Sequence, residues 1–243
     1  MIDGHAHLNE ISDVEGALAR AREAGITSIV AVGMDVPSNL ATLELSRRFP
    51  GFVYPAVGYH PWSITPESVE ANLAFVQEHL PRCLALGEVG LDYQAKVKKK
   101  LQQEVLARLL ETAARDNRPV ILHTRFSQQR ALHMLKEAGI ARAVFHWYSG
   151  ELAVLEEILA AGYLISATPA LAYSPPHQAA LEAAPLNRIL LETDAPVEYQ
   201  GQVSEPAHLL ITARELSRVK RMEISQIIET TTANARSFFN IGG

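Results

Sequence analysis

Eight short apolar runs, spaced almost evenly along the chain, constrain its fold more than any other feature. They cover residues 1–5, 27–33, 52–60, 83–92, 119–125, 142–147, 163–168 and 188–194. Nearly continuous apolar strands of this kind call for a parallel sheet buried on both faces. Between them lie segments such as EGALARAREAG and QQEVLARLLETAARDN, whose apolar positions recur at helical spacing. Gly25, Gly139 and Gly162 stand where these helices should end before the next strand. Eight strand–helix units in 243 residues match an α/β (β/α)8 TIM barrel, whose usual length is about 250 residues. A doubly wound open sheet is the competitor, but no Gly-rich dinucleotide fingerprint follows the first run. From about residue 205 the tail reads as two further helices, PAHLLITARELSRVK and EISQIIETTTANARSFF. With no linker and no low-complexity segment, residues 1–243 are expected to form a single domain.

Composition narrows the function. Hydrophobic residues make up 48% and charged residues 20%, which excludes a disordered chain. No apolar run approaches the roughly 20 residues of a membrane span, and the N-terminus lacks the pattern of a signal peptide. Cys83 is the only cysteine, which rules out an intrachain disulfide and a cysteine-based zinc site. The expectation is a cytoplasmic protein with no membrane contact. A net charge of −5 lacks the broad basic footprint of a protein that grips long nucleic acids. The local exception is Lys96, Lys98, Lys99 and Lys100, followed by Arg108, Arg115 and Arg118. That run reads either as a solvated helix start or as a phosphate contact.

The unusual polar residues fall at the ends of the apolar runs. His5, His7, His60, His123 and His146 lie there, with Glu88, Asp92, Glu192 and Asp194. His79, His133, His177 and His208 fall in helical or loop segments and read as surface or partly buried side chains. In a parallel barrel the strands' C-terminal ends converge on one mouth, so these distant residues would meet. Parity puts Asp3, His5 and His7 on one strand face, and pairs His123 with Arg125 and Glu192 with Asp194. Each piece has a plain reading: an incidental His-x-His, a structural ion pair at Glu88, a strand-end histidine bonded to backbone. Buried carboxylates and imidazoles gathered without compensation, however, cost several kcal/mol. A bound cation relieves that cost. Their convergence from the first, fourth, fifth, sixth and eighth runs implies a metal site at the mouth.

In that order the stretches MIDGHAHLN, PAVGYHPW, ALGEVGLDY, PVILHTR, FHWYSG and LLETDAP resemble the TatD-like metal-dependent hydrolases of the amidohydrolase-like barrels. The resemblance runs from residue 1 to about 240 and implies the same barrel. It implies divalent-metal-dependent hydrolysis of phosphodiesters, as a deoxyribonuclease or 3′–5′ exonuclease using a metal-activated water. His5, His7 and Asp194 would hold one metal, and His123 and His146 a second, with Glu88 bridging. Asp194 would be the general base, with Glu192 sharing proton handling or orienting the water. His60 would stabilise or protonate the leaving oxygen, and Arg125 suits bidentate phosphate binding. Asp92 is a further candidate, and Asp3 reads as support beneath the histidines. Four imidazoles favour zinc, manganese, iron or nickel on ligand softness, whereas the family's nucleases use magnesium or manganese.

Three positions depart from the family pattern: Phe126 after the His-x-Arg, VSEP at Val203–Pro206, and lysines after GLDY. They fall in loops around the expected substrate mouth. The residues therefore support the metal chemistry better than they support DNA as substrate; DNA is the first expected substrate because the family resemblance implies it. A small-molecule phosphoester, lactone or amide in the same fold is the alternative, and a metal-binding scaffold without turnover the third reading.

Overall fold

The computed structural model describes residues 1–242. Its eight-stranded sheet runs in chain order: β1 (Ile2–Ala6), β2 (Ser28–Val32), β3 (Val53–Val57), β4 (Ala85–Asp92), β5 (Val120–Arg125), β6 (Ala143–Phe145), β7 (Leu164–Ala167) and β8 (Ile189–Leu191). Every neighbouring pair in that series is parallel. The sheet closes at its C-terminal edge, where the Asp194 N–H donates to the His5 carbonyl (3.0 Å) and the His7 N–H to the Ala195 carbonyl (2.7 Å). The result is the (β/α)8 barrel that the strand–helix rhythm requires.

Helices α1 (Val14–Glu23), α2 (Val36–Arg48), α3 (Val69–His79), α4 (Lys99–Arg115), α5 (Gln128–Glu137), α6 (Leu152–Ala160) and α7 (Pro175–Ala183) separate successive strands. Their apolar stripes face the sheet: α4 buries Val105, Leu106, Leu109, Leu110 and Ala113. Gly25, Gly139 and Gly162 have φ of 82°, 66° and 84°, the left-handed conformation that ends α1, α5 and α6. A short ribbon of β9 (Glu198–Tyr199) and β10 (Gln202–Val203) precedes α8 (Leu209–Lys220) and α9 (Ile224–Phe239). The last helix seals the base of the barrel. Its Phe238 and Phe239 pack with Ile2, Val30, Val32, Ile121, Val144 and Leu190 from inside the strands. One end of the barrel is thus plugged with hydrocarbon, and any chemistry must use the other.

The strands stop sooner than their apolar runs. The run ending at Asp194 pairs only to Leu191, the run ending at His60 only to Val57, and the run ending at Trp147 only to Phe145. The polar residues at these ends leave the ladder to enter the mouth. Asp194 and Trp147 do so in left-handed conformations, with φ of 50° and 44°. The parity expected to pair Glu192 with Asp194 therefore does not operate, because neither lies in a strand.

The lysine run is the start of α4, where Lys99 lies over the Tyr93 ring at 4.5 Å and Lys100 faces Glu104 at 3.7 Å. Farther along, Arg108 pairs with Glu70 and Arg115 with Asp116. Among the described residues no helix is long and apolar enough to cross a membrane.

Candidate metal centre at the strand mouth

Two glycines let the centre form. At Gly58 an added Cβ would lie 2.3 Å from the Glu88 carbonyl oxygen. At Gly90, with φ of 154°, it would lie 1.9 Å from the His123 carbonyl. Only glycine allows β3 and β5 to approach β4 so closely. That approach gathers Glu88 with the histidines on all sides.

The two oxygens of Glu88 face different sets of histidines. Oε2 lies 3.4 Å from His5 Nε2 and 3.2 Å from His7 Nε2. Asp194 Oδ1 completes this side, 3.4 Å from His5 Nε2 and 3.5 Å from His7 Nε2, and the two Nε2 atoms are 3.3 Å apart. Donors placed tetrahedrally at the 2.0–2.1 Å typical of zinc stand about 3.3–3.4 Å from one another. The observed spacings match that edge length, so this donor set fits a divalent cation. On the other side Oε1 lies 3.1 Å from His123 Nδ1 and 3.0 Å from His146 Nε2.

The far nitrogens of the second pair are held by carboxylates. His123 Nε2 lies 3.2 Å from Asp92 Oδ2, and His146 Nδ1 lies 3.2 Å from Glu192 Oε1. Asp92 is itself held by the Trp62 indole N–H (2.7 Å) and the Gln94 N–H (2.8 Å). Glu192 also accepts from the Trp147 N–H at 3.1 Å. Carboxylates in this position fix ring orientation and leave the opposite nitrogen free to ligate. Glu192 Oε1 thus faces His146 Nδ1 and the Trp147 N–H, and it lies close enough to His5 and His146 to form a metal-ligating group with them.

His60 reaches the same cluster, with Nε2 3.4 Å from Glu88 Oε1. Its Nδ1 accepts the Trp62 backbone N–H at 3.1 Å, which leaves the proton of the neutral ring on Nε2. His60 therefore presents an N–H to the cavity rather than a lone pair. Burial pushes it down to about 4, so it is neutral near pH 7.

The remaining titratable groups lean on one another. Burial opposes a charge on Glu88, but His60, His146 and His5 outweigh it and hold the carboxyl well below its usual range. Burial likewise opposes a charge on His7, yet Asp194 and Glu88 raise it to about 10. His146 is raised in the same way, by Glu88 and Glu192. In the protein alone His7 and His146, as imidazolium, supply positive charge that the carboxylates require. A divalent cation supplies that charge instead and displaces the protons.

Below the mouth Asp3 is wholly buried, and its carboxylate accepts from the Thr193 N–H (3.0 Å) and hydroxyl (2.6 Å). It ties β1 to the end of β8, as structural support. Of the histidines given no chemistry, His177 is fully buried, accepting the Thr168 N–H at 3.2 Å while its Nδ1 faces the Tyr148 carbonyl at 2.7 Å. It braces two loops. His7, His60, Glu88, His123, His146, Asp194 and Arg125 all line a cavity of about 470 Å³ that opens at the mouth. Trp62, Trp147 and Met34 share its wall, and the sequence pattern alone did not mark them. For Trp62 the available signal was its place in YHPW, two residues after a site histidine.

A barrel plugged at its base, with a histidine–carboxylate cluster at its mouth, is the architecture of the metal-dependent hydrolases. The family model described as TatD related DNase matches residues 2–240, and the chain belongs to that family. It is 32% identical over 258 aligned positions to the human protein named deoxyribonuclease TATDN3, covering 98% of this chain and 94% of the relative. A Bacillus subtilis protein described as an uncharacterized metal-dependent hydrolase, YabD, is 30% identical, with 99% of each chain covered. Among solved structures, the Escherichia coli TatD homolog YJJV superposes with a TM-score of 0.90 at 29% identity, over 99% of this chain and 98% of that one.

Proposed function

We propose that this chain is a divalent-metal-dependent deoxyribonuclease that removes nucleotides from the 3′ end of single-stranded DNA. The observation that carries the reading is the two-faced seating of Glu88, with His5 and His7 on one oxygen and His123 and His146 on the other. In this reading His5, His7 and Asp194 hold one cation, His123 and His146 hold a second, and Glu88 is shared. The cations are magnesium, manganese or zinc. When bound, such a pair supplies Lewis acidity at the phosphate and a water acidified toward neutrality.

The chain's own residues do the rest. Asp194 stands on the cavity wall, and its carboxylate takes the proton of the attacking water. His60 donates its Nε2–H to the leaving oxygen as a hydrogen bond, consistent with a ring that stays neutral. Arg125, on the exposed end of β5, binds a non-bridging phosphate oxygen. Asp92 and Glu192 keep His123 and His146 turned toward Glu88.

The names of the relatives support hydrolysis, and the human relative's name supports DNA. A 5′-labelled single-stranded oligonucleotide incubated with magnesium, manganese or zinc should shorten from its 3′ end, one nucleotide at a time. No shortening with any of the three ions would overturn the reading. Turnover of a small phosphodiester without any shortening of DNA would move the substrate to the small-molecule phosphoesters.

A further inference from the structure

Phe126 follows Arg125 at the end of β5, and nothing in the fold accounts for its position. Its ring is 67% exposed and belongs to neither apolar cluster of the core. The backbone there has φ of 54°, a conformation that a bulky side chain rarely takes. The ring stands beside the metal cavity, on the wall of a second and larger groove of about 980 Å³. Thr124, Arg125 and Ser149 line both spaces, so groove and cavity adjoin.

The groove's charge suits an anion. Arg125 and Arg130 line it against a single acidic side chain, Glu151. Arg130 faces Glu137 at 3.7 Å, whereas Arg125 forms no ion pair among the described residues. At the groove's edge Tyr93 carries Lys99 over its ring at 4.5 Å. The wall therefore alternates an aromatic face with cations, the pattern that holds an unpaired strand through base stacking and phosphate contacts.

We infer that this groove carries the retained part of a single DNA strand, with the first base on the 5′ side of the scissile phosphate stacked on Phe126. The inference rests on the nuclease reading above and adds a base-stacking subsite to it. The interior of a duplex would not fit the role, because both faces of a base there are covered by its stacked neighbours. The site also reconciles a net charge of −5 with a nucleic-acid substrate: one ring and a few local cations replace a broad basic surface.

The test is a cycle on the metal-loaded protein, using a single-stranded hexanucleotide and the same strand made abasic at the nucleotide 5′ to the scissile bond. Phe126→Ala should raise KM for the intact strand about tenfold with kcat little changed. The abasic strand should show the same rise with the unaltered protein, and no further rise with Phe126→Ala. Phe126→Tyr should restore KM to within about twofold. Metal content and thermal midpoint, measured on both variants, separate lost stacking from lost folding. Equal KM for Phe126→Ala and the unaltered protein, additive effects in the cycle, or failure of Phe126→Tyr to restore KM would each overturn the subsite alone. If the unaltered protein shortens neither strand, the nuclease reading falls and the subsite with it.

Discussion

The two halves of the centre hold their histidines by different means. His123 and His146 each turn one nitrogen toward Glu88 and rest the other on a carboxylate, Asp92 or Glu192. His5 and His7 have no such partner: the Nδ1 atoms of both are buried without a hydrogen bond among the described residues. His5 is held by packing instead, stacked on the His146 ring at 4.3 Å, and the chain around both is fixed by the β1–β8 closure. One half is oriented by electrostatics, which substitution of a neighbour can tune. The other is oriented by backbone and shape, which only disruption of the barrel seam can change.

Glu88 is common to both halves, so its loss should erase the difference between them. Glu88→Gln is expected to lower hydrolysis by about 10³-fold, the equivalent of several kcal/mol of transition-state stabilisation. Metal analysis should show both sites weakened together. Loss of only one equivalent would mean that Glu88 serves one half.

The contrast sharpens one layer out. Asp92→Asn and Glu192→Gln should each weaken metal binding at the His123–His146 side by about 10–100-fold. Binding at the His5–His7–Asp194 side should stay as it was. Titration calorimetry of the metal-free protein would resolve the two events, and equal weakening of both would contradict the division.

The smallest expected effect is on pH. With His7 raised from 6.5 to about 10, metal binding at pH 8 must release a proton. Affinity at that half should therefore climb with pH, by up to about tenfold per unit, until about pH 10. The heat of binding should vary with the buffer's own protonation enthalpy. The sign for folding is the reverse: in the metal-free protein the protonated His7 contributes stability that is full below pH 6.5 and is lost as pH rises through about 10. Buffer-independent heats at pH 8 would show that His7 binds no proton to lose.

Much of this was legible along the chain, and particular residues show where legibility ended. All eight strands and the end of β5 at Arg125 follow from apolar periodicity and residue type. Phe126 could be marked only as unusual. That its ring is exposed beside a groove depends on how the loop turns at φ of 54°. Glu192 and Asp194 are two apart and look equivalent in sequence. The break in the strand after Leu191 gives them different surroundings: one faces His146, the other His5 and His7. Trp62 gains its role only because Asp92, thirty positions away, comes within 2.7 Å of its indole nitrogen.

The sequence by itself determined the barrel, because hydrophobic periodicity and helix stops act locally and must be satisfied wherever the chain goes. It also determined which chemical groups gather at the mouth, since strand ends in a closed parallel sheet have one place to converge. The tertiary structure alone decided which nitrogen of each ring faces inward and which carboxylates carry a role at one remove. Those choices turn on distances of about 3 Å between residues far apart in the chain, and no local pattern encodes them.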